Sequence, residues 1–259
     1  MTALVAVDLD QTVVFSKRSA GAAGPSVVVE HLDGEALSSM TVGAVDAYRD
    51  LAATVTLVPV TTRTVAQFNR IALPSPPAYA VCANGGVLLG PDGRDAAWDA
   101  WVRTVCAASA PLPDAMAMLA VDAPWVKLVR AAEGLFGYLV AHARDQIPEP
   151  WLQDLESRLT AVGWAVSVQG RKVYAVPRGL SKASAVTRLA AQLGATSVLA
   201  AGDSLLDRPL LELAAGSGGA IRPAHGELHD LGWDGAHVTV ESGARAGEEL
   251  LRWLLERVG

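Results

Sequence analysis

Apolar residues fall along this chain in short, largely β-branched runs, separated by longer stretches where they recur every three or four positions. Residues 4–7, 55–60, 79–83 and 197–201 are such runs, each of strand length and each followed by polar or turn residues. Between the first two, Val42, Val45, Tyr48 and Ala52 lie at helical spacing behind Thr41, so the spacing predicts a helix through Ala53 capped by that threonine. A short helix over 65–71 follows the second run, with Thr61 or Thr62 as its cap. Ser181 opens a helix that runs to Leu193 and stops at Gly194. Leu210, Leu211, Leu213 and Ala214 mark another, 220–222 and 238–240 are short final strands, and 244–258 is an amphipathic closing helix. Buried strands alternating with helices predict an α/β protein with a Rossmann-like three-layer core and a mainly parallel sheet. Pro59 is the awkward residue in this scheme, because proline cannot donate to a central ladder.

Two stretches break the alternation. Residues 27–31 form a strand, Asp33-Gly34 a hairpin turn and 35–38 the return, which makes a small flap beside the first strand. From 87 to 177 the order becomes helix, hairpin, helix, hairpin, with Trp98, Trp101, Val102 and Val105 on one apolar helical face and turns at Glu133-Gly134 and Gln169-Gly170. That order predicts an inserted α/β unit, a four-stranded antiparallel sheet with two helices on one face. The domains are then 1–86 with 178–259 as the core and 87–177 as the insert. Most tryptophans of the insert are read as core, since such large rings bury well.

Composition narrows the function classes. A chain of 259 residues suits one core with a smaller insertion, and 51% hydrophobic against 19% charged residues excludes a largely disordered polymer. The net charge of −6, with no basic run, leaves no electrostatic footprint for nucleic acid or an anionic membrane. Cys82 and Cys106 have no metal or disulfide spacing, which suits a reducing compartment. No run is long enough to span a bilayer, and Asp8 interrupts the N-terminal run too early for a signal peptide, so the expected location is the cytoplasm. A monomer is compatible with all of this. His225, His229 and His237 lack zinc spacing and are read as loop residues.

The chemistry sits where strands stop. The first run ends in Asp8-Leu9-Asp10-Gln11-Thr12, and in an extended segment Asp8 and Asp10 point the same way and repel. A divalent cation such as Mg2+, which takes carboxylate oxygens, removes that cost. Taken alone, the motif serves equally as a turn and cap. The second run ends in Thr61-Thr62-Arg63, whose hydroxyls and forked guanidinium can hold phosphate oxygens. The third ends in Asn84-Gly85-Gly86, a tight turn or hinge beside the same edge. Lys182 lies in the first turn of a helix, where the dipole disfavours it; carboxylates or a phosphate opposite would compensate, and a lysine simply extended into water is the alternative when the residue is viewed alone. The fourth run ends in Gly202-Asp203, with Asp207 four residues on, and the glycine lets backbone approach the site.

In this order and at these element ends, the four motifs resemble those of the haloacid dehalogenase (HAD) superfamily of phosphohydrolases. The insert after Asn84-Gly85-Gly86 looks like a type C2 cap, as in the Cof-like and sucrose-phosphate phosphatase-like branch. The resemblance covers essentially the whole chain and implies a phosphoaspartyl mechanism. Asp8 would be the nucleophile and Asp10 the general acid and base, while Thr61 and Lys182 would bind the transferring phosphoryl. Thr12, Thr62, Arg63, Asn84 and Gly85 would contact substrate. Mg2+ would be held by the Asp8 side chain, the Asp10 backbone carbonyl and Asp203, with Asp207 a ligand through water or a support for Lys182. The substrate would be a small phosphorylated metabolite, of which a sugar phosphate fits this branch best. Three positions depart from the pattern: Gln11 stands where glycine is common, Thr62 replaces the glycine of Thr-Gly-Arg, and Leu206 replaces an asparagine before the last acid. Three functions therefore stay open at this stage: a phosphatase, a phosphosugar mutase, and a regulatory protein that binds a phosphometabolite with little turnover. A receiver domain uses similar residues but is about half this length.

Overall fold

The computed structural model describes residues 2–259, and the elements run in chain order as follows. The first half of the core holds β1 (Ala3–Val7), β2 (Phe15–Ser16), β3 (Ser26–Leu32), β4 (Glu35–Thr41), α1 (Val42–Thr54), β5 (Thr56–Pro59), α2 (Val65–Phe68), β6 (Ala80–Cys82), β7 (Val87–Gly90) and β8 (Gly93–Arg94). The insert holds α3 (Ala96–Cys106), α4 (Leu112–Leu119), β9 (Val126–Ala132), β10 (Phe136–Ala141), α5 (Glu149–Ala161), β11 (Trp164–Gln169) and β12 (Lys172–Pro177). The core resumes with α6 (Lys182–Leu193), β13 (Ser197–Ala201), α7 (Arg208–Ala215), β14 (Ala220–Arg222), α8 (Glu227–Asp230), β15 (His237–Val238) and α9 (Gly243–Val258). Two compact units result: residues up to Asp95 with Lys182–Gly259, and Ala96–Ser181. The division falls nine residues after 86/87, because β7 pairs antiparallel with β6 and β8 with β7, and four after 177/178.

In the first unit the sheet order is β15-β14-β13-β1-β5, and every pairing is parallel. Strand β1 is therefore interior, between β13 and β5, and Leu4, Val5, Ala6 and Val7 are wholly buried, as its uninterrupted apolar run requires. Helix α1 packs on α9 and α6 on α7, supplying the helical layers. Thr41 caps α1 by accepting from the Ala44 amide at 3.0 Å, and its own hydroxyl donates to Glu248 of α9 at 2.8 Å. Gly194 ends α6 with φ +63°. Pro59 is tolerated because alternate residues of a strand donate to opposite sides. The Val60 amide donates to Val7 and the Thr61 amide to Val81, so the proline nitrogen faces the β6 side one step before that pairing begins.

The flap is a three-stranded sheet, β2-β4-β3, and the register of β3 against β4 shifts on either side of Glu30. Helix α2 is shorter than the expected 65–71, and its cap is Thr64. Thr64 and Gln67 form a reciprocal capping box, which leaves Thr61 and Thr62 free of that duty. The last strand lies at His237–Val238, one residue earlier than expected.

The second unit is a four-stranded antiparallel sheet, β11-β12-β10-β9. The two helices packed on that sheet are α4 and α5, whereas the sequence pattern offers α3 and α5. Helix α4 escapes a reading by periodicity because Pro111 and Pro113 flank its start and it is only eight residues long. It lies so near β10 that a Cβ on Gly137 would stand 2.4 Å from the Met116 sulfur. Trp98 and Trp164 are buried core residues, and the Trp164 indole donates to the Ala110 carbonyl at 2.9 Å. Both cysteines are free thiols, Cys82 wholly buried in β6. Among the described residues no helix is long and apolar enough to cross a membrane.

Candidate active site

The parallel register carries Asp8 and Asp203 to the same edge of the sheet. Ala201, the last residue of β13, pairs with Val7, and the Asp8 amide donates to the Ala201 carbonyl at 2.9 Å. Each acid is then the first or second residue past a buried strand, in the crevice where open α/β sheets bind ligands. Lys182, at the start of α6, is 1% exposed and reaches this edge, with its ammonium 2.5 Å from Asp8 Oδ1 and 2.5 Å from Asp207 Oδ1. A cation in a first helical turn is thus offset by two buried carboxylates.

Both oxygens of Asp207 accept from protein donors, Oδ1 from the Lys182 ammonium. Its Oδ2 accepts from the amides of Asp203 and Ser204 at 3.3 and 3.0 Å and from the Ser204 hydroxyl at 2.6 Å. It therefore ties the loop after β13 to Lys182. Ser204 thus gives this acid a polar side-chain contact from within its own loop. A Cβ on Gly202 would stand 2.4 Å from Asp207 Cβ, so only glycine lets the two segments close this far. Gly202→Ala is expected to cost roughly 1–3 kcal/mol by overpacking a fixed carboxylate. A lower urea midpoint at unchanged slope would show it, and an unchanged midpoint would show that the loop yields.

Asp8, Asp203 and Asp207 offer oxygens that all lie within 4.8 Å of one another, and all three residues are buried. The Thr12 hydroxyl, wholly buried, lies 3.3 Å from Asp8 Oδ2 and 3.5 Å from Asp203 Oδ1, and its single proton serves only one of them. Burial first, with repulsion from Asp207 and Asp10 added, pushes the Asp8 carboxyl up to about 7 against the pull of Lys182. Burial likewise raises Asp203 well above the ordinary range, with Asp8 and Asp207 adding to it. Burial alone would lower Lys182, but Asp207 and Asp8 outweigh it and hold the ammonium charged. Three buried carboxylates against one ammonium leave negative charge at hard oxygen donors, the donor set that suits Mg2+.

The neighbouring loops supply neutral groups. Thr61 is wholly buried at the end of β5, and its Oγ1 accepts from the Arg63 amide at 3.2 Å, which leaves the hydroxyl proton to donate elsewhere. Thr62 is half-buried. Asn84, φ +56°, is buried and its amide donates to the Thr61 carbonyl at 2.9 Å; Gly85 follows at φ +104°. Gln11 also lies in the left-handed region, φ +60°, the reason glycine suits this position. Its carbonyl accepts from His225 Nε2 at 2.8 Å, while His225 Nδ1 accepts from the Gly243 amide at 3.1 Å. Both ring nitrogens are thereby satisfied in the neutral tautomer, and burial lowers the His225 pKa accordingly. His225 is therefore a clamp on the Asp10–Gln11 turn.

Asp10 and Arg63 differ most from the sequence reading. Arg63 was expected to face phosphate oxygens, but it forms a fork on Asp10, Nε to Oδ2 at 2.8 Å and Nη2 to Oδ1 at 2.7 Å. Its Nη1 donates to Glu30 at 2.8 Å. Glu30, on the flap, is wholly buried and went unremarked in the sequence, where its one signal is a lone acid following three valines. Burial would raise its pKa, but bonds from Arg63, Ser38 and Arg70 hold the carboxyl below the usual range.

No family model matches the chain, and no curated protein sequence is similar to it. Its fold does have solved counterparts. The sucrose-phosphatase of Synechocystis sp. PCC6803, solved with sucrose and phosphate, superposes with a TM-score of 0.65 at 18% identity, covering 98% of both chains. A subclass IIB sugar phosphatase of the HAD superfamily gives 0.64 at 10% identity over 100% of both. A HAD-superfamily phosphatase from Bacteroides thetaiotaomicron gives 0.59 at 13% identity, covering 98% of this chain and 95% of its own. Over nearly its whole length, then, this chain has the fold of the HAD-superfamily phosphatases, a parallel-sheet core interrupted by a second α/β unit.

Proposed function

We propose that this protein is a Mg2+-dependent phosphatase that hydrolyses phosphomonoesters of small metabolites, sugar phosphates above all, through an aspartyl-phosphate intermediate. The observation that carries the reading is the buried arrangement of Asp8, Asp203 and Asp207 around Lys182, at the sheet edge where β1 and β13 end. The sugar phosphatases that share the fold favour the same substrate class.

The assigned chemistry runs in two displacements. The Asp8 carboxylate attacks phosphorus, forming an aspartyl phosphate as the ester oxygen departs, and Asp10 gives that oxygen a proton. Asp10, now a base, takes a proton from the water that attacks phosphorus, and the Asp8–phosphorus bond breaks to release inorganic phosphate. Lys182 neutralises and orients the phosphoryl oxygens. Thr61 is assigned the second contact in preference to Thr62, because it is buried and keeps its hydroxyl proton available. The neighbouring Thr12, Asn84 and Gly85 line the same loops. Asp8, Asp203 and the Asp10 backbone carbonyl would hold Mg2+, which would supply positive charge to the transferring phosphoryl. Asp207 is assigned to support of Lys182, since both its oxygens are occupied by protein donors.

The test is release of phosphate from a panel of hexose phosphates, disaccharide phosphates, nucleotides and phosphoglycerate derivatives, with p-nitrophenyl phosphate as a generic substrate. Turnover is expected with Mg2+, concentrated on sugar phosphates, abolished by EDTA and restored by excess Mg2+. The same titration is expected to raise the thermal midpoint, continuing with the logarithm of Mg2+ concentration past saturation, as any ligand of the folded state does. Hydrolysis that survives chelation, or no phosphate release from any member, would overturn the reading.

A further inference from the structure

We propose that Glu30 of the flap and Arg63 are a positioning pair that sets the Asp10 carboxylate for proton transfer, so that the flap governs the acid and base steps. This rests on the phosphatase reading above and adds to it two residues linked to Asp10, Arg63 directly and Glu30 through Arg63. Asp10 is the exposed member of the site, its side chain 50% accessible, and a short acid so placed has several rotamers open to it. Arg63 removes that freedom, because a planar fork bonded to both oxygens fixes the carboxylate in one orientation.

Arg63 is in turn held from behind. Its third donor arm meets Glu30 Oε1, and Glu30 is wholly buried, with Oε1 also receiving Arg70 at 3.1 Å and Oε2 receiving the Ser38 hydroxyl at 2.8 Å. The paired register shifts beside Glu30 break the in-out alternation of a mostly exposed strand, so that Val29 and Glu30 are buried in succession. The backbone is anchored as well, since the Ala72 amide donates to the Val29 carbonyl at 2.7 Å. A chain of charge-assisted bonds thus runs from flap to guanidinium to Asp10. With Nε, Nη1 and Nη2 all committed to carboxylates, Arg63 acts on the reaction through Asp10.

Leaving-group dependence separates positioning from mere structure. p-Nitrophenolate departs readily without a proton, whereas an alkoxide from glycerol 2-phosphate needs one, and kcat/KM reports the first displacement for both. Glu30→Gln, which keeps shape and loses charge, is expected to lower kcat/KM for glycerol 2-phosphate at least about 10-fold and that for p-nitrophenyl phosphate less than about 3-fold, the pattern also expected of Asp10→Asn. Arg63→Lys, which keeps the charge and loses the fork, should show the same selective loss and serves if Glu30→Gln does not fold. Equal losses on both substrates, or none on either, would overturn the pair. Failure of the phosphatase reading is visible separately, as a wild-type protein inactive on both substrates, and takes this inference with it.

Discussion

Asp8→Asn is expected to abolish turnover, by about 10⁴-fold or more, while leaving the protein at least as stable as before. The amide matches the carboxylate in shape but cannot attack phosphorus, and neither Asp10 nor Lys182 can substitute as nucleophile. The stability side follows from the buried charge. Burial, then Asp207 and Asp10, push Asp8 up to about 7 from an ordinary 3.8. Between about pH 4 and 7 the folded state therefore binds more protons than the unfolded one, and stability falls as pH rises through that window. An asparagine does not titrate, so the variant lacks this slope. Lys182 keeps Asp207 as partner, so no cation is stranded. Urea unfolding at pH 5 and 7.5 without added metal should show wild type losing more stability than Asp8→Asn between the two. If the variant retained hydrolysis, the nucleophile would lie elsewhere; if it lost activity and also several kcal/mol at pH 7.5, Asp8 would be a structural ion-pair partner.

Much of this site was legible because the chain marks it by contrast. Asp8 and Asp203 each follow a mostly buried apolar run, so the parallel register that the runs demand also brings the acids together. Lys182 was visible as an anomaly, a cation where the helix dipole opposes one, and its resolution by Asp8 and Asp207 is electrostatic. The Thr64–Gln67 capping box was equally present in the letters, and only the nearer threonines drew the reading away from it. Glu30 was not legible in the same way. Its contact with Arg63 spans 33 positions and depends on register shifts that no periodicity announces. His225 is similar, for its two bonds join Gln11 to Gly243 across 214 and 18 positions. Helix α4 was hidden by its prolines, which are favourable at a helix start yet read as loop in a pattern of apolar spacing. Local rules thus recovered the strands and their ends, and the misses are groups held in place by long-range polar bonds or by chain ends of short elements.

Lys182→Met is expected to produce the largest loss of stability at the site, about 3–5 kcal/mol, together with loss of turnover. Methionine fills the volume of the stem, so no cavity accounts for the effect. What goes is the only ammonium facing Asp8 and Asp207, leaving three buried acids with no compensating cation of their own among the described residues. The wild-type contribution has a defined sign. Lys182 is raised above its ordinary 10.5 by Asp207 and Asp8, so its stabilisation is fully present below about 10.5 and is lost only as pH climbs beyond that value. The penalty in the variant should accordingly be largest at pH values above the raised range of Asp8 and Asp203, where these acids are charged. It should shrink as pH falls through the raised range of Asp8, where protonation removes the repulsion instead. Mg2+ bound by these carboxylates would supply the same compensation by another route, so millimolar Mg2+ should raise the thermal midpoint of Lys182→Met more than that of wild type. Equal shifts in the two proteins would mean that the cation binds away from these carboxylates, and an unchanged midpoint without metal would mean that the acids are already neutral when the lysine is gone.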